Sequence, residues 1–501
     1  MNLKKLLSSL ILPLAIHAPL QAEEKPPNIV FLMTDDQRWN TLSCYGRDEF
    51  ETQNIDQLAS EGVTFDRAFH NVAICMPSRV TVMTGRYFAS HNSGFTYPHA
   101  TPVSEADFAN TYHGQLRAAG YRSGFVGKFG FNVDGGLETL KRHFDYYDGN
   151  GTHADHGPGR WADVPDAFEN LSAGRAVTER TIKKGDSMVR FLETQPAGQP
   201  FVLSVSFDAV KNDSDNDMHI PDKVYFENTE MSVPKNYYEG ANPNLPEVIK
   251  KYARGYKFHL KRSSTPAQYQ EMARRFASQG RTVDSQVKRL REKLEELGLL
   301  ENTIIIYTSD NGRYHGSHGL FDKCFLHETS VRAPLIIWDG RGKLPQGKRI
   351  EALTCATDLA PTMLDLAGLP IPEQMQGVTL TGLLSGTVDE EQWRDAILLE
   401  NLFNLEIRSA SRKAKRNPDA VNYEQLNQDI IANNRSYRSR GVRTERWKYF
   451  TYYEQSPVIE ELYDLEADPD ELHNLAAAPE HQATLNSLRA KTQALYEKYK
   501  K

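Results

Sequence analysis

Short, continuous apolar runs recur along most of the chain, and stretches with helical spacing lie between them. The apolar runs predict buried strands at residues 28–33, 121–127, 201–207, 303–308 and 334–338. Helical spacing recurs at residues 54–62, 108–119 and 266–297, and Pro77 predicts the opening of a helix that holds residues 80–83. Helices alternating with buried strands predict an α/β fold with a large, mostly parallel sheet sandwiched by helices.

The pattern changes after about residue 385, where short apolar runs follow one another without a helix between each pair. Runs at 396–400, 447–453 and 461–465 predict strands, and residues 482–500 predict a closing amphipathic helix. The basic run 408–416, followed by Pro418, predicts an exposed loop. We therefore predict a main domain at 23–385 and a smaller antiparallel α+β subdomain at 386–501.

The first 22 residues have the pattern of a secretory signal peptide. Lys4 and Lys5 precede an apolar stretch, and a small residue, Ala22, precedes the acidic Glu23. A membrane anchor is the alternative, but the stretch is short and Pro13 interrupts it, so no anchor is expected. The sequence thus predicts cleavage near Ala22 and export, to the periplasm in a host with two membranes and otherwise to the medium.

Composition excludes some classes of function without indicating a chemistry. The chain has 66 acidic and 59 basic residues and a net charge of -7, which argues against a nucleic-acid partner held by bulk electrostatics. Removal of residues 1–22 takes away Lys4 and Lys5 and no acid, so the mature net charge is -9. Four cysteines in 501 residues do not make a disulfide scaffold.

Acidic residues directly follow two of the predicted buried strands. Asp35 and Asp36 come after the first, and Asp310 and Asn311 come after the strand at 303–308. In open α/β sheets, ligands bind beyond the carboxyl ends of the strands. Carboxylate and amide oxygens that converge there would suit calcium or magnesium rather than zinc.

A cysteine next to a helix-opening proline is the second chemical signal. The segment Cys75-Met76-Pro77-Ser78-Arg79 predicts that Cys75 lies at a helix N-terminus, where free N–H groups and the helix dipole favour an anion. Arg79, one turn on, adds positive charge. A thiolate in such a place could act as a nucleophile, but the spacing of the histidines identifies no base for a cysteine hydrolase.

The motif C-x-P-S-R, followed by Thr84-Gly85-Arg86, resembles the signature of the type I sulfatases, which are members of the alkaline-phosphatase-like superfamily. The resemblance covers almost the whole chain after residue 22. The other matching segments are residues 27–36, 124–128, 302–312, 316–323, 331–337, 358–368, 443–449 and 461–465.

This resemblance implies a modified nucleophile and one Ca²⁺. In such sulfatases a maturation enzyme oxidises the motif cysteine, here Cys75, to Cα-formylglycine. One oxygen of the hydrated aldehyde attacks sulfur and expels the alcohol, and the second hydroxyl then releases sulfate. The calcium ligands of the family match Asp35, Asp36, Asp310 and Asn311, together with the modified Cys75.

The resemblance also implies cationic residues around the sulfate. Arg79 matches the arginine that holds the formylglycine, Lys128 the lysine that contacts both formylglycine and sulfate, and Lys323 a second sulfate-binding lysine. A sulfate monoester is itself an anion, so positive charge must surround the sulfur during attack by an anionic oxygen.

Two positions depart from the family pattern. Gly130 stands where the family usually has a histidine that helps the sulfated diol eliminate, and Lys211 stands where it usually has a histidine acting as general acid. A protonated Lys211 could stabilise the leaving oxygen or donate a proton. His318, in the segment Gly-Ser-His-Gly-Leu, is expected to reach the pocket and contact substrate.

Other histidines, at positions 153, 156, 219 and 315, lie in or close to the matched segments or could line a cleft. The alternatives are a protein that binds a sulfated ligand with weak turnover and a phosphate or phosphonate ester hydrolase of the same superfamily. Export, a lid-like region at 213–262 and the basic run at 408–416 favour a polyanionic sulfated carbohydrate. The sugar, the position of its sulfate and endo or exo action stay open, as does any single disulfide among Cys44, Cys324 and Cys355.

Overall fold

The computed structural model describes residues 25–149, 180–211, 220–414 and 421–501. Its strands are β1 (Asn28–Thr34), β2 (Val63–Phe65), β3 (Ala68–Phe69), β4 (Arg122–Gly127), β5 (Tyr146–Gly149), β6 (Phe201–Ser206), β7 (Thr303–Ser309), β8 (Leu335–Asp339), β9 (Lys348–Ile350), β10 (Thr354–Cys355), β11 (Ala396–Asn401), β12 (Ser439–Thr444), β13 (Trp447–Tyr452) and β14 (Ile459–Asp464).

The helices of the same described residues carry the apolar faces that cover these strands. They are α1 (Gln53–Glu61), α2 (Cys75–Thr84), α3 (Phe88–His91), α4 (Glu105–Ala109), α5 (Tyr112–Ala118), α6 (Gly136–His143), α7 (Arg180–Glu193), α8 (Ile220–Tyr225), α9 (Glu247–Tyr252), α10 (Arg254–Arg262), α11 (Pro266–Glu296), α12 (Glu328–Val331), α13 (Leu359–Leu366), α14 (Thr381–Ser385), α15 (Leu405–Ala414), α16 (Tyr423–Ala432) and α17 (Gln482–Tyr499).

An eight-stranded sheet in the order β5-β4-β6-β1-β7-β8-β2-β9 organises the larger part of the chain. The five strands from β5 to β7 run parallel, whereas β8 is antiparallel to both of its neighbours. Strand β1 lies at the centre, with Ile29 opposite Val202 of β6 on one side and Ile304 of β7 on the other. The predicted α/β class with a mostly parallel sheet is confirmed.

Both faces of the sheet are covered, which explains why its strands read as continuous apolar runs. Ile29 and Phe31 of β1 belong to a core cluster shared with α2, α5 and α13. Val30 and Leu32 belong to the cluster on the opposite face, shared with α1, α7 and α11. Successive residues of β1 thus alternate between two helical layers.

The C-terminal part of the chain forms a separate antiparallel sheet in the order β11-β12-β13-β14. Helix α17 packs on it through Leu485 and Leu488, which join Val442 and Leu462 in one apolar cluster. The predicted antiparallel α+β architecture is therefore confirmed, while the division at 385/386 stays a prediction.

Two local predictions were wrong. The basic run at 408–416 begins inside helix α15 rather than a loop, because Asn404 accepts hydrogen bonds from the N–H groups of Glu406 and Ile407 and Ile407 is buried. The single helix predicted at 108–119 is two helices, since Thr111 caps α5 by accepting from the N–H of Gly114. No helix of the described residues is long and apolar enough to cross a bilayer.

Candidate active site

The acidic residues at the strand ends lie side by side because β1 and β7 are parallel neighbours in register. Thr34, the last residue of β1, pairs with Ser309, the last residue of β7. Asp35, Asp36 and Asp310 follow at the same sheet edge and are completely buried. The N–H of Asp36 donates to Asp310 Oδ1 at 3.0 Å. The expected convergence at the carboxyl edge is thus what the structure shows.

Cys75 is the first residue of α2, as its position before Pro77 predicts. Its Sγ lies 3.3 Å from Asp35 Oδ1 and 4.0 Å from Asp36 Oδ1. The Ser78 hydroxyl, one turn on, donates to the carbonyl of Asp310 and contacts His70 Nδ1 at 2.7 Å. The helix start is therefore anchored directly to the strand-end acids.

These groups form a compact donor set, which we call the acidic cluster: Asp35, Asp36, Cys75, Asp310 and Asn311. One ligand atom from each of the first four lies within 4.8 Å of the others, and all four residues are buried. Asn311 joins them by donating from Nδ2 to Asp36 Oδ1 at 2.8 Å. Three buried carboxylates this close require compensating positive charge.

Four cations supply positive charge from different elements. Lys128 contacts Asp35, and Lys323 contacts Asp36 and lies 2.7 Å from Cys75 Sγ. Arg79 donates from Nε to Asp310 Oδ2 at 2.9 Å. Lys211 Nζ is 3.4 Å from Asp35 Oδ2 and 3.9 Å from Cys75 Sγ. Its side chain is 40% exposed, against 7% or less for the other three, so Lys211 stands at the mouth of the site.

The electrostatics favour the charged forms of Asp35, Asp310 and Lys211. Burial alone would raise the pKa of Asp35, but the ammonium groups of Lys128, Lys211 and Lys323 hold it well below its usual range. Burial would lower the pKa of Lys211, yet Asp35 and the rest of the acidic cluster raise it well above the usual range. Asp35 and Lys211 therefore stabilise each other in their charged forms.

Arg313 is a site residue that the sequence reasoning missed. Its Nη1 contacts Asp36 Oδ2, and its side chain is only 6% exposed. The signal available in the sequence is its position directly after Asp310-Asn311-Gly312, in the loop that continues to Lys323. A fifth cation therefore neutralises the acidic cluster from the side of this loop.

Gly130 has a geometric reason to lack a side chain. Its φ is +86°, and a Cβ built there would lie 2.6 Å from Arg79 Cδ and 3.2 Å from Arg79 Nε. Arg79 itself is held in place, since its Nη1 donates to the carbonyl of Lys128 and to Ser206 Oγ. The space beside Gly130 is thus already filled by Arg79.

The described contacts of His318 are made away from the acidic cluster, so its expected contact with substrate stays a prediction. Its ring stacks on His327 with a centroid distance of 4.3 Å, and its Nε2 is 3.3 Å from Asn236 Nδ2 and 3.9 Å from Glu471 Oε2. Burial lowers the pKa of His318 well below its usual range, and His327 lowers it further. Among the described residues, the contacts of His318 are with the layer beneath the C-terminal sheet and not with the acidic cluster.

The other histidines have different outcomes. His315 is buried and packs edge-on against Phe276, with ring centroids 4.4 Å apart. His153, His156 and His219 lie outside the described residues.

All four cysteines are free thiols in this structure. No disulfide therefore joins any two of Cys44, Cys324 and Cys355. Cys355 instead donates to Asn71 Oδ1 at 2.6 Å.

The donor set fits a hard divalent cation. Carboxylate and amide oxygens dominate it, and oxygens are the ligands preferred by Ca²⁺. Lys323 Nζ contacts Asp36, lies 3.3 Å from Asn311 Oδ1 and 2.7 Å from Cys75 Sγ. Asp36, Cys75 and Asn311 therefore stabilise a positive charge placed among them, which in this structure is the Lys323 ammonium.

Comparison with known proteins gives matches along nearly the whole chain. The Sulfatase family model matches residues 27–369, and the model described as N-sulphoglucosamine sulphohydrolase, C-terminal, matches residues 408–498. An N-acetylglucosamine-6-O-sulfatase of Bacteroides thetaiotaomicron is 29% identical, with 98% of this chain and 91% of that protein aligned. Human arylsulfatase A is 28% identical, with 95% of this chain and 89% of that protein aligned.

Solved structures agree on the fold. A complex with the substrate D-glucosamine-2-N,6-O-disulfate has a TM-score of 0.70 at 23% identity and covers 95% of this chain and 98% of its own. These matches define the class of protein, a sulfuric ester hydrolase on the α/β fold described above. The chain belongs to the sulfatase family of the alkaline-phosphatase-like superfamily, because the family model spans more than half of its residues.

Proposed function

We propose that this enzyme is exported and releases sulfate from a sulfated carbohydrate, using a formylglycine made from Cys75 and one bound Ca²⁺. The observation that carries the proposal is the position of Cys75 at the start of α2, with Sγ 3.3 Å from Asp35 Oδ1 and 2.7 Å from Lys323 Nζ. A maturation enzyme would convert the thiol side chain into the aldehyde. Removal of residues 1–22 would accompany export.

The residues that would hold the calcium are Asp35, Asp36, Asp310 and Asn311, together with the modified Cys75. When bound, the ion and the hydrated aldehyde supply a polarised oxygen nucleophile for attack on sulfur. The chain's own cations bind the anionic ester. Lys128 contacts Asp35 and Lys323 contacts Asp36, and both would balance the charge of the sulfate oxygens.

Arg79 and Lys211 have different roles in this proposal. Arg79 is completely buried and fixed by Asp310, Lys128 and Ser206, so it orients the residue at position 75 and is not consumed in the reaction. Lys211 stands at the mouth, where the leaving alcohol would depart. A lysine ammonium is protonated at neutral pH, so Lys211 stabilises the leaving oxygen by charge and hydrogen bonding.

The substrate class is supported by the relatives. The Bacteroides thetaiotaomicron relative is named an N-acetylglucosamine-6-O-sulfatase, and two Formosa agariphila relatives, 25% and 24% identical, are named ulvan-active sulfatases. The solved complex named above holds a disulfated glucosamine. We therefore favour a sulfated sugar, with 6-O-sulfated glucosamine as the first compound to test.

A panel assay tests this proposal. Purified enzyme is given 6-O-sulfated glucosamine, a sulfated polysaccharide, an aryl sulfate and an aryl phosphonate monoester, and sulfate or alcohol release is measured for the wild type and for Cys75→Ala. We expect release from the sulfated sugar by the wild type and none by the variant. Turnover of small aryl or alkyl esters alone would contradict the carbohydrate assignment.

Two further outcomes separate the alternatives. Preferential turnover of the phosphonate ester would favour a different superfamily activity, since a phosphonate monoester hydrolase of Agrobacterium radiobacter shares the fold with a TM-score of 0.66. Binding of the sugar without release would favour a ligand-binding protein. Mass spectrometry of the tryptic peptide 68–79 from active protein made in the native host checks the modification, and an unmodified Cys75 there would overturn it.

A further inference from the structure

A cleft of about 490 Å³ is lined jointly by the main part of the chain and by the C-terminal antiparallel sheet. Its walls come from the segment between β2 and β3, from α12 and the residue after it, from the end of β12 with the β12–β13 turn, and from the segment after β14. The acidic cluster contributes no residue to its lining. We call this site the arginine cleft, and the lining residues of interest are Arg67, Glu328, Arg332, Arg443, Glu445 and Arg446.

Three of the four arginines that line the arginine cleft are neutralised by carboxylates. Two further carboxylates of the lining, those of Glu445 and Glu466, are 85% and 73% exposed, so solvent screens their charge. The three ion pairs are Arg443–Glu328 at 3.1 Å, Arg446–Asp464 at 2.6 Å and Arg67–Glu351 at 3.2 Å.

Arg332 is the exception, because it forms no ion pair with any described residue. Its Nε donates to the carbonyl of Asp66 at 2.8 Å, and its guanidinium lies 3.6 Å from the centre of the Trp39 ring. Neither of its Nη groups has a hydrogen-bond partner among the described residues, although the side chain is only partly exposed. Burial lowers the pKa of Arg332, and the charge of Glu328 offsets this only in part. An arginine nevertheless keeps its proton, so this positive charge remains without a partner.

The nearby carboxylates are already shared among other cations. Glu328 acts more strongly on Arg332 than any other carboxylate, yet Arg443 and Lys448 contact it at 3.1 and 2.7 Å. Lys448 in turn contacts Glu471 at 3.0 Å. In this group of five residues, three cations face two carboxylates. An anion in the arginine cleft would restore the balance.

The geometry of Arg332 suits an oxyanion. A guanidinium with free Nη groups presents parallel N–H donors that match two oxygens of one anion. The bond to the Asp66 carbonyl and the stacking on Trp39 already fix the side chain, so little conformational freedom is lost when an anion binds. For a sulfuric ester hydrolase, sulfate is the oxyanion that every turnover produces.

We propose that the arginine cleft binds a sulfate group, with the Nη groups of Arg332 as its principal donors. This inference rests on the activity of the family toward sulfuric esters, and it does not depend on the sugar, the calcium ion or the formylglycine of the proposed function. A cleft of this size also accommodates the rest of a sulfated molecule. The group is therefore either free sulfate or the sulfate of a larger ligand.

Calorimetric titration of the purified enzyme with inorganic sulfate, at constant ionic strength, tests the proposal in solution. Compared with the wild type, Arg332→Gln should lose one sulfate site or bind there about tenfold or more weakly, because charge-assisted hydrogen bonds are lost. Its kcat/KM for an aryl sulfate should not change, since Arg332 is outside the acidic cluster. Sulfate binding equal to that of the wild type would overturn the arginine cleft.

Arg489→Gln is the matched control. It removes one arginine from helix α17, where Arg489 pairs with Glu460 at the surface and does not line the arginine cleft. This variant should bind sulfate like the wild type, and an equal loss in it would show that overall charge, and not the cleft, explains the effect. If Arg332→Gln does not fold, Arg67→Gln gives the same comparison with a smaller expected loss.

Diffraction from crystals soaked in selenate, a tetrahedral analogue of sulfate, locates the site. The anomalous signal of selenium should lie within hydrogen-bonding distance of Arg332 in the wild type and be missing there in Arg332→Gln. A signal in the crystal without a matching site in solution would mean an adventitious ion only and would overturn the proposal. Titration of Cys75→Ala with a sulfated disaccharide separates the two sources: tighter binding than sulfate at the Arg332-dependent site assigns a larger ligand, and weaker binding assigns free sulfate.

Discussion

Arg79 connects the helix that carries Cys75 to three other parts of the site. It is 1% exposed and reaches the carboxylate of Asp310, the carbonyl of Lys128 and the hydroxyl of Ser206. An arginine fixed by this many partners loses little conformational freedom when substrate binds. The position of Arg79 depends on the space beside residue 130, which is open because Gly130 has no side chain.

Gly130→Ala tests that dependence. The added Cβ would meet Arg79 Cδ at 2.6 Å, so the Arg79 side chain must shift from the position in which it binds Asp310. We expect kcat/KM for an aryl sulfate to fall on the order of a hundredfold, because a displacement of this size at a catalytic site disrupts alignment. Steady-state kinetics measure this effect.

Gly120→Ala is the matched control for backbone strain. Gly120 has a similar φ, +90°, but a Cβ there meets no atom within 4 Å. This variant carries the same left-handed strain and should keep its activity. Equal activity losses in the two variants would mean that strain, and not displacement of Arg79, explains the result.

Lys211→Ala tests the role of the cation at the mouth. Removal of its charge leaves the leaving oxygen without a partner, which matters more for a sugar alcohol than for a phenol that leaves readily as an anion. We expect kcat to fall roughly a hundredfold or more on a sulfated sugar and much less on an activated aryl sulfate. Equal losses on both substrates would instead assign Lys211 to sulfate binding.

The sequence predicts the residues of the acidic cluster better than the residues that contact them. Asp35, Asp310 and Cys75 are recognisable because each follows or begins a regular element, and their convergence follows from sheet topology. The contact of Arg313 with Asp36 depends on the path of a loop, and periodicity carries no information about loops. The stacking of His318 on His327 depends on a loop path in the same way.

The secondary-structure elements also divide into those that the sequence predicts and those that it does not. Long apolar strands and the 31-residue helix α11 are predicted from periodicity, because burial on one or both faces dictates their composition. Periodicity does not predict the three-residue strands β2 and β9 or the polar strand β12, because pairing with neighbouring strands defines each of them. Helix α15 depends on one capping residue, Asn404, and on the burial of Ile407.

The boundary between α4 and α5 gives a prediction at the scale of elements. The Thr111 hydroxyl oxygen accepts from the N–H of Gly114 at 3.1 Å and donates to the carbonyl of Phe108 at 2.7 Å. Thr111→Ala should lower the free energy of unfolding by about 1 kcal/mol, as the loss of an N-cap does elsewhere. Thr111→Ser keeps the hydroxyl and should unfold like the wild type in urea. A serine variant as unstable as the alanine variant would assign the effect to the methyl group.

At the scale of the whole molecule, folding buries histidines in a neutral state. Burial lowers the pKa of His70 and His99 to about 4 and that of His91 and His113 to about 3. An unfolded chain takes up protons on these rings near pH 6.5. Below that pH the unfolded state binds more protons than the folded state, so stability falls as the pH falls toward 4. Acid should therefore destabilise the fold before the carboxylates protonate.

His113 isolates this effect because burial alone lowers its pKa and its hydrogen bonds do not involve the acidic cluster. Its two ring nitrogens are 2.9 Å from Ser123 Oγ of β4 and 2.8 Å from Ser204 Oγ of β6, so the ring of this α5 residue lies on the face of the sheet. With a pKa of about 3 when folded, His113 alone should cost about 2 kcal/mol of stability between pH 7 and pH 5. His113→Gln should be less stable than the wild type at pH 7, since hydrogen bonds are lost, yet lose less on acidification.

Urea unfolding at pH 7 and pH 5 measures both quantities for the wild type, His113→Gln and His473→Gln. The side chain of His473 is 78% exposed, so His473→Gln is the control for replacing a histidine at the surface. We expect the difference between the two pH values to shrink by about 2 kcal/mol in His113→Gln alone. If the difference in unfolding free energy between pH 7 and pH 5 is unchanged in His113→Gln, the His113 ring is protonated in the folded enzyme. The conclusion that a neutral imidazole is buried against Ser123 and Ser204 would then be wrong.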